Sequence, residues 1–221
     1  MSIEKRIFDS PDSLTEQTAG ALREMIIGGE FAPGHRLSEA QLAERLDVSR
    51  NTLREVFRLL TREGLLQHKP NRGVFVAVPS MASILDIYRI RRLIEIPALS
   101  GAWPRHEAVA RMRQAVERAQ TLAAAGDWRG VGSANMDFHG AIIALTDSPR
   151  LLIFFTQIAA ELRLAFGLLD NPELLHQPFI ARNRTIVDRL EQGHGTAAAT
   201  LLQDYLMESE RVVLAAFARR A

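Results

Sequence analysis

The side chains in this sequence best suited to chemistry are hydrogen-bond donors clustered in residues 50–58. Arg50, Asn51, Arg54 and Arg58 recur on one side of a short helical pattern, toward its N-terminal end. A guanidinium group can donate two parallel bonds to guanine O6 and N7, and an asparagine amide can pair with adenine or bond a phosphate. This pattern favours recognition of a DNA duplex. Because an arginine-rich helix face is also typical of an ordinary solvated bundle, the neighbouring elements must decide between the two interpretations.

Those neighbouring elements predict a helix-turn-helix. A first helix opens at Ser38, where Gln41 three residues later completes a capping-box pattern. A second helix is capped by Ser49 and stops before Gly64, which suits a left-handed C-terminal position. One face of the second helix carries an apolar stripe with helical spacing, formed by Leu53, Val56, Phe57 and Leu60. The stripe must face a core, so the donors are left on the outside, as in a helix that enters the major groove.

A basic hairpin is predicted directly after the second helix. Residues 65–67 and the β-branched run 74–78 flank a turn-forming break at 68–73. The break carries Lys69 and Arg72, which suit phosphate or minor-groove contact, and Gly73, which permits close backbone approach. With a helix from Leu14 and a short strand near residues 35–37, the sequence predicts a winged helix over residues 9–78.

Composition excludes several classes of protein. The chain of 221 residues has no cysteine, which excludes disulfides, thiol catalysis and zinc fingers together. The N-terminus lacks the apolar core of a signal peptide, and no apolar run is long enough for a membrane span. We therefore expect a cytoplasmic protein without a membrane partner. The net charge is only +1, but cations outnumber anions between Arg50 and Arg72.

The rest of the chain is helical in pattern, and Pro79-Ser80 marks the boundary. We predict a DNA-binding winged helix-turn-helix domain over 1–78 and an all-α effector-binding and dimerisation domain over 79–221. The overall class is therefore mainly α. The predicted helices of the second domain cover residues 80–101, 105–125, 129–146, 148–169, 172–192 and 195–220.

Two parts of the sequence resemble a known family. The segment LSEAQLAERLDVSRNTLREVFRLLTREGLLQHKPNRGVFV resembles the GntR family of bacterial transcription regulators, and RRLIE at 91–95 with NMDFH at 135–139 resembles the branch with a FadR-like (FCD) helical domain. The resemblance implies a homodimer on a palindromic operator in double-stranded DNA, and most such regulators are repressors. The pattern and the resemblance together give the candidate DNA-contacting residues as Ser38, Ser49, Arg50, Asn51, Thr52, Arg54, Arg58, Lys69, Arg72 and Gly73.

The same resemblance implies an effector pocket in the helical domain, where an Asp and three His often hold a divalent metal. At those positions this sequence has Asn135, His139, Asn183 and Tyr205. An amide oxygen is a weak metal ligand and a neutral phenol is poorer, so we expect no obligatory metal. A weakly bound divalent ion at His139 is still compatible with the sequence. The polar set predicts an effector bound by hydrogen bonds, with Arg91 as the partner of an anion. A small organic molecule is expected, and a carboxylic acid is one candidate.

The sequence is also compatible with two other functions. One is an architectural DNA-binding protein with an inert dimerisation domain. The other is an enzyme that uses the bundle pocket, which is disfavoured because the sequence has no Gly-rich phosphate loop, no paired carboxylates at a plausible site and no full metal set. We therefore predict that the chain is not an enzyme. The effector, the target genes and the sign of regulation are not specified by the sequence, and His176, near a predicted helix start, receives no role.

Overall fold

The computed structural model of the chain describes residues 13–169 and 171–218. The chain divides between Val78 and Pro79 into two compact units, the first with helices around a small sheet and the second all-helical in its described residues. The predicted mainly α class is confirmed. No helix in these ranges is long and apolar enough to cross a membrane.

The first unit has the content of a winged helix. Its elements in chain order are α1 (Leu14–Ile27), β1 (Arg36–Leu37), α2 (Glu39–Arg45), α3 (Arg50–Arg62), β2 (Leu66–Lys69) and β3 (Gly73–Val76). The three strands form one antiparallel sheet in the order β1-β3-β2. The predicted helix-turn-helix and hairpin are therefore confirmed.

Local capping explains where the two central helices begin and end. The Ser38 side chain accepts a hydrogen bond from the Gln41 N–H at 3.4 Å, and Ser49 accepts one from Thr52 at 3.0 Å. Both bonds satisfy amides that the first turn of a helix leaves without partners. Gly64 follows α3 with φ of 75°, the left-handed conformation that ends a helix.

The position of α3 is fixed by its apolar stripe. The four predicted residues of the stripe are buried, and they are Leu53, Val56, Phe57 and Leu60. Burial of each such side chain contributes about 1.5–3 kcal/mol. At the end of α3, Glu63 accepts two hydrogen bonds from Arg23 of α1, at 2.9 and 2.8 Å, which attach the two helices to each other. The outward face of α3 is thus held in one orientation.

The wing between β2 and β3 closes through a tight turn. Lys69 pairs with Gly73, and the Arg72 N–H donates to the Lys69 carbonyl at 3.0 Å. Asn71 and Gly73 take positive φ values of 58° and 100°. The turn leaves the Arg72 side chain exposed at the tip.

The second unit contains the helices α4 (Met81–Ser100), α5 (Glu107–Ala124), α6 (Trp128–Ala144), α7 (Pro149–Gly167), α8 (Pro172–Glu191) and α9 (Gly195–Ala218). Each starts close to its predicted first residue, and the predicted end of α9 at residue 220 lies outside the described residues. Ser148 and Asn171 cap α7 and α8, and a proline follows each as the first helical residue. Helix α6 packs against α4, α5, α7 and α8, so its side chains project into the interior of the bundle.

Candidate nucleic-acid interface and buried polar cluster

The outward face of α3 presents the predicted donors to solvent. Arg50, Asn51, Arg54 and Arg58 are exposed, and Thr52 is half-buried. Ser49 bonds the Thr52 hydroxyl at 2.9 Å in addition to its amide, so both hydroxyls take part in the cap that starts the helix. The exposed side chains of the N-terminal turns of α3 therefore form one polar, cationic surface.

Two of the exposed arginines form ion pairs within the first unit. Arg54 Nε donates to Glu39 Oε2 at 3.0 Å, and Arg58 Nη1 donates to Glu55 Oε1 at 2.5 Å. The hydrogen bond to Glu39 raises the pKa of the Arg54 guanidinium, which therefore keeps its charge. No periodic signal relates Glu39 to Arg54, because the two residues lie on different helices.

A groove of about 1080 Å³ runs between α3 and the sheet. Its charged and titratable lining residues in the described chain are Arg36, Arg54, Arg58, Arg62, His68 and Glu39. Arg36, Arg62 and His68 were not among the predicted DNA-contacting residues. A groove with several guanidinium groups and one carboxylate has a positive potential, so it suits the phosphodiester backbone of a nucleic acid.

The wing contributes to the same region of the first unit. Ser38 and Gly73 both line the groove, and a Cβ atom at Gly73 would lie 3.5 Å from Arg36 Nε. Lys69 Nζ lies 4.7 Å from the centre of the Phe75 ring. The predicted wing residues Lys69 and Gly73 therefore lie beside the groove, and Arg72 lies at the exposed tip of the wing.

The second unit buries a polar cluster that includes every predicted effector residue. Arg91, Asn135, His139, Asn183 and Tyr205 are all buried, on four different helices. Asn135 Oδ1 accepts hydrogen bonds from Asn183 Nδ2 at 2.7 Å and from the Tyr205 hydroxyl at 3.0 Å. The His139 and Tyr205 rings lie 5.1 Å apart between centroids. The four positions singled out by the family resemblance are therefore neighbours in space.

Glu95 completes this cluster and was missed as a site residue. Its Oε1 accepts from Arg91 Nε at 2.6 Å, and its Oε2 lies 2.6 Å from His139 Nδ1. Arg91 thus has an internal counter-ion, which the prediction of a free cation for an anionic ligand did not include. Spacing of i, i+4 on α4 was the available signal for the Arg91–Glu95 pair. No local pattern indicated the contact with His139.

The charges of the cluster cancel. Burial acts to raise the pKa of Glu95, but Arg91 and His139 outweigh it and lower that pKa, so the carboxylate is ionised. Burial lowers the pKa of His139, and Arg91 lowers it further against the opposing effect of Glu95. A neutral imidazole that donates from Nδ1 to the carboxylate has its lone pair on Nε2. The cluster therefore holds one cation, one anion and neutral polar groups.

Three buried polar atoms of the cluster lack a hydrogen-bond partner within the described residues: Arg91 Nη2, His139 Nε2 and Asn183 Oδ1. Leaving such an atom unsatisfied costs about 1–3 kcal/mol. The set offers one donor and two acceptors to a bound polar molecule.

The cluster does not fit a divalent metal. In the part of the chain that the structure describes, no group of three or more His, Cys, Asp or Glu side chains could hold a metal ion. The oxygen of Asn135 already accepts two hydrogen bonds, and burial raises the pKa of Tyr205, which keeps the phenol neutral. Only His139 Nε2 remains as a good ligand atom.

His176 belongs to a second buried group in the same unit. It lies within α8, as the predicted helix over 172–192 implies, and packs edge-on against Phe166 with ring centroids 5.3 Å apart. Burial, with the charge of Arg163, lowers its pKa to about 4. A Cβ atom at Gly132 would lie 2.7 Å from His176 Nε2, so only glycine leaves room for this ring on α6. No local pattern in the sequence indicates this contact.

Two family models match most of the chain. The family model described as bacterial regulatory proteins, gntR family, matches residues 14–76, and the FCD domain model matches residues 86–208. The chain is 28% identical over 172 residues to the Nta operon transcriptional regulator of Aminobacter aminovorans, covering 76% of this chain and 80% of the relative. It is 25% identical over 220 residues to the galactonate operon transcriptional repressor of Escherichia coli, covering 89% and 95%.

A solved structure is similar over most of the chain. The crystal structure of a protein described as a GntR transcriptional regulator from Rhodococcus sp. RHA1 is 40% identical, with a TM-score of 0.88. The match covers 92% of this chain and 99% of that one.

Proposed function

The chain belongs to the gntR family of bacterial regulatory proteins and carries an FCD domain, and from this premise we propose that it is a sequence-specific, DNA-binding transcription regulator rather than an enzyme. We further propose that it represses its target genes in the cytoplasm, as the name of the galactonate operon relative suggests by analogy. In this proposal residues 1–78 bind the operator, and residues 79–221 bind an effector and dimerise.

The strongest support for this proposal is the outward face of α3. Its donors are exposed while its apolar stripe is buried, so the helix can enter a major groove without unfolding. Arg50, Asn51 and Arg54 contact base edges in this proposal. Arg58 and Lys69 contact phosphates, and Arg72 enters the minor groove from the wing.

The remaining candidate residues support the same surface. Ser38 and Ser49 hold the first turns of α2 and α3 in place, and Thr52 is bonded to Ser49. Gly73 allows the wing to lie close to the backbone of the duplex. A homodimer would present two such surfaces to a palindromic operator, because a two-fold protein reads a two-fold site.

Selection from a pool of random duplexes tests the DNA-binding proposal. The wild-type protein should enrich a palindromic sequence and bind it about 10³-fold or more tightly than a scrambled duplex at the same salt concentration. Equal affinity for all duplexes would instead support an architectural DNA-binding protein and contradict the regulator.

The effector proposed for the second unit is a small organic molecule held by hydrogen bonds without an obligatory metal. Arg91 Nη2 can donate to it, and His139 Nε2 and Asn183 Oδ1 can accept from it. Because the charges of Arg91 and Glu95 cancel, an uncharged hydroxyl-bearing molecule matches the cluster better than the carboxylic acid considered from the sequence.

A thermal-shift screen with sugar acids and the matching alditols tests the effector proposal. A ligand that binds the folded state raises the melting temperature by mass action, and it should also change the affinity for the selected duplex. Stabilisation by the acid but not by its alditol would contradict the preference for an uncharged molecule.

A further inference from the structure

Glu39 occupies a position in the helix-turn-helix that neither the sequence pattern nor the proposed contacts explain. We infer that its carboxylate positions the Arg54 guanidinium for reading a base, and so sets the sequence preference of the protein. The inference rests on the proposed function, because it requires Arg54 to face DNA.

The geometry gives Glu39 a fixed place from which to act. It is the first residue of α2, directly after the Ser38 cap, and it accepts from Arg54 Nε of α3 at 3.0 Å. Helices α2 and α3 pack together through buried residues, which include Leu42 and Leu53, so the two ends of the bond are carried by a rigid frame. A guanidinium has five N–H donors, and a bond at Nε leaves those of the terminal nitrogens for a base edge.

Charge argues that Glu39 does not serve general affinity for DNA. Among the described residues that line the groove, Glu39 is the one with a carboxylate, and the other charged residues are arginines. This carboxylate would repel a phosphate backbone. An ion pair with side chains 59% and 32% exposed also contributes little to the stability of the fold. We attribute to Glu39 the orientation of Arg54, and this effect offsets the repulsion. A side chain that is already held in its bound rotamer loses less entropy on binding.

Glu55 provides a matched comparison on the same surface. It also pairs with an exposed arginine, Arg58, but the pair spans a single turn of α3 and Glu55 does not line the groove. Arg58 is proposed to contact a phosphate, which carries no sequence information. Removal of the Glu55 charge should therefore change affinity without changing preference.

The test uses the full chain and two duplexes of equal length, the sequence selected by the wild type and a scrambled control. Glu39→Gln should weaken binding to the selected duplex about tenfold, within the range that one bidentate base contact contributes, and leave binding to the scrambled duplex unchanged or stronger. Glu39→Asp keeps the charge but shortens the reach, so it should also lose preference. The double variant with Arg54→Ala should discriminate no worse than Arg54→Ala alone, because both changes act through one guanidinium. Glu55→Gln should strengthen binding to both duplexes alike.

Three results would overturn the inference. Glu39→Gln could change both duplexes by the same factor, as Glu55→Gln is expected to do, which would make Glu39 a charge effect only. Losses of discrimination that add in the double variant would make the two residues independent. If the wild type selects no sequence at all, the proposed function fails together with the inference. If the wild type is selective and the Glu39→Gln variant is equally selective, the inference alone fails.

Discussion

Single residues of the surface proposed to face DNA are expected to differ in what they contribute to binding. Arg50 is exposed at the first turn of α3, where a bidentate contact to guanine is possible. Arg50→Ala should cost roughly 1–3 kcal/mol on the selected operator and relax preference at one base pair. Fluorescence anisotropy with single-base variants of the operator measures both effects.

Lys69 supplies the control for that measurement. Its ammonium lies over the Phe75 ring on the wing and can reach phosphates but has no fork to read a base. Lys69→Ala should weaken binding to every duplex by a similar factor and lower the salt dependence. An Arg50→Ala variant that behaved in this same uniform way would contradict base contact by Arg50.

His176 should make the stability of the protein depend on pH. Its pKa is lowered to about 4 in the folded chain, against about 6.5 when unfolded. Above pH 6.5 both states are neutral and His176 has no effect. Below it the unfolded state binds the additional proton, so stability falls as the pH drops from 6.5 toward 4, by about 2 kcal/mol at pH 5.

Thermal or denaturant unfolding between pH 7 and pH 5 measures this loss. His176→Gln should make the dependence shallower, with the buried His139 still contributing, whereas His194→Gln, at an exposed position, should leave it as in the wild type. An unchanged slope in His176→Gln would show that other groups cause the loss.

Helix α6 allows a test of packing at the scale of one element. A methyl group at Gly132 would lie 2.7 Å from His176 Nε2 and 3.2 Å from Arg163 Nη1, whereas at Gly140 the nearest side-chain atom is 4.0 Å away. Gly132→Ala should destabilise the fold by about 1–3 kcal/mol through overpacking. Gly140→Ala should stabilise it by about 0.5–1 kcal/mol, since alanine is the better helix former. Urea unfolding compares the two, and equal effects would contradict this account of α6.

The elements were predictable where their causes are local in sequence. Ser38, Ser49 and Gly64 carry the ends of α2 and α3 in their own residue types, and the stripe on α3 follows from helical spacing. The contacts that join distant segments were not predictable. Glu95 bonds His139 across 44 residues and Arg54 bonds Glu39 across 15. Such pairs depend on how the helices pack, which one sequence does not specify.

The candidate site shows the same division. The exposed donors of α3 follow from the stripe opposite them, so the structure and the sequence agree on Arg50 and Arg54 as outward residues. In the second unit the sequence identified polar positions but not their partners, and Glu95 changes the electrostatics from a free cation to a neutral cluster.

For the molecule as a whole, the altered ligand set predicts independence from metal. A chelator should leave both the melting temperature and the operator affinity unchanged, because Asn135 and Tyr205 are bonded to each other and only His139 offers a strong ligand atom. Metal analysis of the purified protein measures this, and one tightly held divalent ion per chain would refute it. As a positive control, Asn135→Asp combined with Asn183→His and Tyr205→His restores the set that the family resemblance implies and should gain affinity for zinc.

The two faces of α3 also bear on how such a protein can change over generations. Residues that hold the helix in the fold point inward, and those proposed to contact DNA point outward, so no side chain of the buried stripe is among the proposed base contacts. If the proposed contacts hold, exchange of Arg50 or Asn51 should alter operator preference while the core stays intact. Regulators built on this helix can be redirected to new genes, by natural drift or by engineering, through a few exposed substitutions without a loss of foldability.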